Sequence, residues 1–179
     1  MRVATGVLGA VLIVVAMGCP QASGGPGAGG PGGPMPMANP EIGRPQYLNP
    51  GTESGIPGYT NAVRLGNTIT IAGQVALDDQ GHVVGAGDLA AQARQAFANL
   101  SHVLQIAGSI PEEVLRLNVY VVNLKPGDWD IIRREGAAFF PQRNPPAGTV
   151  LGVQSLPRDS LLIALDATAV VRAMFRPRR

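Results

Sequence analysis

The sequence predicts an α+β fold, a mixed sheet with two helices on one face in the order β-β-α-β-α-β-β. Three observations predict it. From Gly58 onward, apolar residues recur by turns with the period of a strand and the period of a helix. Two β-rich runs are separated by Gly66-Asn67, a two-residue hairpin signal. Both helical stretches carry start and stop residues, Asp in front and Gly or Pro behind.

The first hairpin joins Val63-Arg64-Leu65 to a run at 68–75. There Ile69, Ile71, Gly73 and Val75 alternate with Thr68, Thr70, Ala72 and Gln74, which gives one apolar face. Gly73 falls where a core side chain is expected. It marks either a bulge or a close approach by a ligand or another chain. A turn-rich link leads to Asp88, the N-cap of the first helix. Leu89, Ala93, Ala96, Phe97, Leu100, Val103, Leu104 and Ala107 share one face of that helix, and Gly108 stops it ahead of Pro111. In the strand at 114–122, Leu115, Leu117, Val119 and Val121 point one way, and Arg116, Asn118 and Tyr120 the other. The second face is only half polar, so it is expected to pack against other subunits. The second helix starts at Asp128, carries Trp129, Ile132, Gly136, Phe139 and Phe140 on one side, and ends at Pro141.

The last strands come from 144–171. Apolar runs at 149–153 and 161–171 flank Leu156-Pro157-Arg158-Asp159-Ser160 and read as a hairpin or near-hairpin. The final run is apolar at almost every residue, which suits a strand buried on both faces. Asp166 interrupts it. A carboxylate there needs a partner or a wet site, met by a subunit-facing position or by a pocket.

The chain has 179 residues and a net charge of +2, with four arginines at its end, Arg172, Arg176, Arg178 and Arg179. No aromatic interleaving supports nucleic-acid binding by that tail. Two histidines and one cysteine exclude an internal disulfide and offer no zinc spacing, so no metal or cofactor is expected. His102 lies opposite the apolar stripe of its helix and His82 lies in a turn, so both are read as surface residues. Residues 1–18 hold Arg2 and an apolar run from Val7 to Met17, too short to span a bilayer and typical of a secretory leader. Val15-Ala16-Met17-Gly18-Cys19 resembles a bacterial lipobox, which makes Cys19 the expected lipidation site and the protein an extracytoplasmic, membrane-anchored lipoprotein. An ordinary cleaved signal is the alternative. Residues 19–55 contain GGPGAGGPGGPMPM and read as a disordered tether, with 41–56 loop-like. The folded domain is expected over 56–175, with a basic tail at 176–179. Roughly 120 residues suffice for one core.

Taken together, these pieces resemble the RidA family, also called YjgF or L-PSP. The similarity runs from Pro57 to about Arg172. It rests on Pro57-Gly58-Tyr59-Thr60-Asn61-Ala62-Val63, Ile71-Ala72-Gly73-Gln74-Val75, Ala90-Ala91-Gln92-Ala93-Arg94-Gln95-Ala96 with Asn99-Leu100, Val119-Tyr120-Val121, Phe139-Phe140, Pro146-Ala147 and Ser155-Leu156-Pro157. The resemblance implies a RidA-like or chorismate-mutase-like homotrimer with a small-molecule pocket at each subunit interface. It also implies hydrolysis of enamines and imines such as 2-iminobutanoate and 2-iminopropanoate. In such enzymes an arginine after Pro-Ala grips the substrate carboxylate, and a glutamate on the last strand places water.

Carried over by position, the pocket comprises Tyr59, Gly73, Gly148, Thr149, Val150 and Ala164. The arginine position is Gly148 and the glutamate position is Ala164, so no catalytic residue carries over directly. Asp166 keeps the next acidic position in kind, and Arg133 stands where Asn is common. A glycine cannot replace the bidentate clamp of a guanidinium on a carboxylate. Arg133, Arg143 and Arg158 read as solvated surface residues. The expectation is an altered imine-deaminase-type hydrolase, with a metabolite-binding lipoprotein taking an uncharged ligand as the alternative. Ribonuclease action is less supported, since two surface histidines make a poor acid–base pair.

Overall fold

A computed structural model describes residues 43–49 and 58–171. Residues 1–42, 50–57 and 172–179 lie outside the described residues. The expected leader, Cys19, most of the tether and the basic tail therefore lie outside them too.

Among the described residues, six strands and two α-helices follow in order: β1 (Gln46–Leu48), β2 (Ala62–Leu65), β3 (Thr68–Val75), α1 (Leu89–Ala107), β4 (Val114–Val122), α2 (Asp128–Glu135), β5 (Ala147–Val153) and β6 (Ile163–Val170). The strands form one sheet in the order β1-β2-β3-β6-β4-β5. Only β4 and β5 run parallel. The α+β class and the sequence of elements agree with the expectation, except that β1 adds a strand inside the span read as loop. It pairs with β2 (Tyr47 opposite Val63), and the Asn49 carboxamide oxygen accepts from the Asn61 amide at 2.9 Å.

The expected terminal hairpin is not formed. β5 and β6 are not neighbours, because β4 lies between them. A parallel pair needs a crossover of a dozen or more residues, and the connection holding α2 supplies it. β6 is left as a central strand, antiparallel to both β3 and β4. Its apolar composition follows from that place.

Asp88 caps α1 by accepting from the Ala90 and Ala91 amides at 2.9 and 3.1 Å, and Gly108 ends it in the left-handed region at φ 82°. The expected apolar face is buried except for Leu89, which is half-buried, and Gln92 joins it. The Gln92 amide nitrogen donates to the Ser160 carbonyl at 2.6 Å and the Gly85 carbonyl at 3.2 Å, while its oxygen accepts from the Leu162 amide at 2.7 Å. One buried carboxamide thus fixes both connections that pass the end of the sheet. Phe97 stacks at 5.1 Å on Phe139 and meets Phe140 edge-on at 5.8 Å, joining α1 to the segment after α2. α2 ends at Glu135, short of Pro141. A Cβ on Gly136 would stand 2.3 Å from the Phe97 ring, so this close contact needs glycine. Phe139 then enters the core from a single 3₁₀ turn, and Trp129 stays 37% exposed.

Two bulges correct the expected alternation. In β4 the register shifts between Val114 and Arg116, so Val114 takes the core position and Leu115 is 53% exposed. In β3 the shift lies between Ile71 and Gln74. It turns Gly73 outward and Gln74 inward, where Gln74 is 6% exposed and donates to the Ala72 carbonyl at 3.0 Å.

Candidate functional site

The helices leave one face of the sheet uncovered by any described element, and the pairing register decides what stands there. Across β4 and β6, Asn118 lies opposite Asp166 and Tyr120 opposite Ala164; across β3 and β6, Thr70 lies opposite Thr168. Residues directly opposite in an antiparallel pair share a face. Asp166 therefore stands beside Asn118, two residues along β6 from Thr168 and one strand from Thr70.

The Asp166 carboxylate has a partner on each oxygen. The Asn118 carboxamide nitrogen donates to Oδ1 at 2.7 Å, and the Tyr120 hydroxyl donates to Oδ2 at 2.7 Å. Arg116 holds the far side of the Asn118 carboxamide, its Nε 3.2 Å from Oδ1. Tyr120 is pushed above the ordinary phenol value by its hydrogen bond to Asp166, then by burial and the Asp166 charge, with Arg116 acting the other way. The phenol therefore keeps its proton and stays a donor. The charge-assisted bonds hold the carboxylate in one orientation.

A cleft of about 470 Å³ opens beside this group, lined by Tyr59, Thr70, Ala72, Gly73, Asp166 and Thr168 together with Ile71 and Ala167. The β3 bulge shapes it. By turning Gly73 outward, the bulge places a residue with no side chain at the wall, where a Cβ would meet nothing within 4 Å. The bulge reading of Gly73 holds, and the same residue borders the cleft. Tyr59, 69% exposed, lies at the same wall.

The other expected pocket positions are apart from this cleft within one chain. Gly148, Thr149 and Val150 lie on β5 at the opposite edge, with β6 and β4 between them and β3. Thr149 is opposite Asn118 and shares the open face, while Val150 packs against the core. At Gly148 a Cβ would lie 2.2 Å from the Leu117 carbonyl oxygen, so the backbone leaves no room for any side chain. Ala164 is buried between Tyr120 and Val75. Thr70, Thr168, Asn118 and Tyr120 carried no sequence signal as site residues, because their grouping depends on a register that no local pattern prints. Among the described residues, no group of three His, Cys, Asp or Glu side chains could hold a metal ion.

A family profile described as Endoribonuclease L-PSP matches residues 53–171. The 2-iminobutanoate/2-iminopropanoate deaminase of Escherichia coli K12 is 34% identical over 116 residues, spanning 64% of this chain and 88% of the relative. A RutC family protein of Synechocystis is 32% identical over 114 residues, 63% of this chain and 85% of the relative. Among solved structures, a protein of unknown function of the conserved Rid family from Yersinia pestis is 40% identical. It covers 71% of this chain and 98% of its own, at a TM-score of 0.55. A YjgF/YER057c/UK114 family member from Mycobacterium tuberculosis is 28% identical, covering 72% and 100%, at a TM-score of 0.58. The chain belongs to the L-PSP family of RidA and YjgF proteins.

Proposed function

We propose that the chain hydrolyses a carbon–nitrogen double bond in the cleft beside Asp166, without the carboxylate clamp that the family resemblance implies. The observation that carries this reading is the Asp166 carboxylate, fixed by Asn118 and Tyr120 at the wall of a cleft that also holds Tyr59 and Gly73. The net reaction is R2C=NH2+ + H2O → R2C=O + NH4+. Water attacks the iminium carbon, forming the C–O bond, and the π pair moves to nitrogen. Asp166 accepts a proton from the attacking water and returns it to nitrogen. The C–N bond then breaks, and the departing ammonia takes the hydroxyl proton as the carbonyl forms. A carboxylate accepts up to about four hydrogen bonds, so its two fixed donors leave room for that water.

A homotrimer would lay the β5 edge of one subunit, with Gly148, Thr149 and Val150, against the cleft of the next. This would reunite the two groups of pocket positions. Sedimentation at about three times the monomer mass is the expected result, and a monomer at micromolar concentration contradicts it. The lipobox-like segment motivates a lipid anchor at Cys19 outside the inner membrane. Acyl labelling should vanish in Cys19→Ala, and labelling that persists excludes the anchor.

The activity is tested with the purified full chain. Imines are generated in situ by oxidation of a panel of amines and amino acids, and the fraction trapped as semicarbazone is measured. The protein is expected to lower the trapped fraction for at least one substrate. A panel in which every imine decays as in buffer overturns the reading.

A further inference from the structure

We infer that the cleft selects the protonated imine of a molecule with no α-carboxylate, the product of amine oxidation rather than amino-acid oxidation. The inference rests on the hydrolytic reading and names its substrate class.

The charge balance of the site carries it. Among the described residues, Asp166 contributes the one carboxylate lining the cleft, and no lysine or arginine lines it. An anionic substrate would meet that carboxylate with no cation opposing it. A protonated imine would instead find the two remaining acceptor positions of Asp166, the Thr70 and Thr168 hydroxyls, and the Tyr59 ring. Arg116, opposite Thr168 in the β4–β6 register, donates its Nε to the Asn118 carboxamide at 3.2 Å and does not line the cleft. The clamp cannot be restored at Gly148, where the Leu117 carbonyl occupies the space of a Cβ. A second copy supplies none from β5 either, because Ala147–Val153 reads AGTVLGV and holds no charged side chain. Loss of the family arginine and glutamate alone suggests an uncharged ligand; Asp166 in the cleft shifts that preference to a cation.

This assigns a place in a reaction sequence. An oxidation of a primary amine with dioxygen as acceptor, R2CH–NH3+ + O2 → R2C=NH2+ + H2O2, supplies the iminium. The chain then releases a simple ketone or aldehyde and ammonium.

The full chain is assayed with imines formed by an amine oxidase from a primary amine and by an amino-acid oxidase from an amino acid of matched side chain. In parallel, isobutylammonium and isobutyrate are compared as ligands by thermal shift. The expected result is hydrolysis of the amine-derived imine at least about tenfold more efficient, with stabilisation by the ammonium alone. Faster hydrolysis of the 2-imino acid, or stabilisation by isobutyrate alone, overturns the inference. Ammonium-selective stabilisation with no hydrolysis of either imine overturns the hydrolytic reading and leaves the charge selection standing. No stabilisation and no hydrolysis overturns both. Asp166→Asn should abolish the ammonium preference. Should that variant not fold, Tyr59→Leu, at an exposed position outside the core, should weaken ammonium binding roughly three- to tenfold. Unchanged binding in Tyr59→Leu also counts against the inference.

Discussion

The two faces of β6 use one strand for different ends. Toward the helices, Ile163, Leu165, Ala167 and Ala169 are all at most 2% exposed and belong to the core. Toward the open face, Ala164, Asp166, Thr168 and Val170 alternate with them, and all but Ala164 are half-buried. The first face is defined by apolar area alone. The second is defined by which side chains neighbouring strands bring opposite it. A central strand thus supplies rigidity through one set of residues and presents a carboxylate with the other, so the site inherits the stiffness of the core.

That comparison is tested most strongly on the core face. Leu165→Ala is expected to cost about 2–5 kcal/mol of stability, through lost transfer energy and a residual cavity. A denaturant midpoint is the readout, and the preference among substrates should not change. Gln92→Leu removes three hydrogen bonds that tie α1 to the connections at Gly85 and Ser160–Leu162. Leaving the Leu162 amide without its acceptor is expected to cost about 1–3 kcal/mol, seen as faster amide exchange of that connection.

Gly148→Ala tests the β5 edge. The added methyl would collide with the Leu117 carbonyl, so the variant is expected to lose about 1–3 kcal/mol. Gly148→Arg should be no better folded and should gain no activity on 2-imino acids. A gain would mean that the β4–β5 backbone yields easily.

The smallest expected effect is electrostatic. Tyr120 has its folded-state pKa raised above 10.0. The stability linked to it is fully present below the unfolded-state value and is lost as pH rises through the folded-state value. Thermal midpoints should therefore fall in the alkaline range, and Asp166→Asn should weaken that fall because the carboxylate is the largest cause of the shift.

The sequence made α1 legible almost residue by residue, because Asp88, the apolar stripe and Gly108 are local signals. The β2–β3 hairpin was legible for the same reason, with Gly66-Asn67 joining Leu65 to its partner Thr68. Two near apolar runs could not reveal that β4 enters between β5 and β6, since strand order is set by crossover geometry over long separations. Gly73 signalled the β3 bulge, whereas the β4 bulge was hidden, because one inserted residue reverses the faces that follow while the composition stays the same. In the site, Asp166 stood out as a charge in an apolar strand. Its partners did not, because Asn118 and Tyr120 lie more than forty positions away and meet it only through register.

The central claim is that the fixed carboxylate of the open face performs the chemistry. It is tested most directly by the rate of imine hydrolysis in the full chain and in Asp166→Asn, each measured by semicarbazone trapping at equal folded concentration. The account predicts that the wild-type protein accelerates decay and that the substitution lowers this acceleration at least about hundredfold, consistent with loss of a general base, while circular dichroism stays native. Equal rates in the two folded proteins would contradict it.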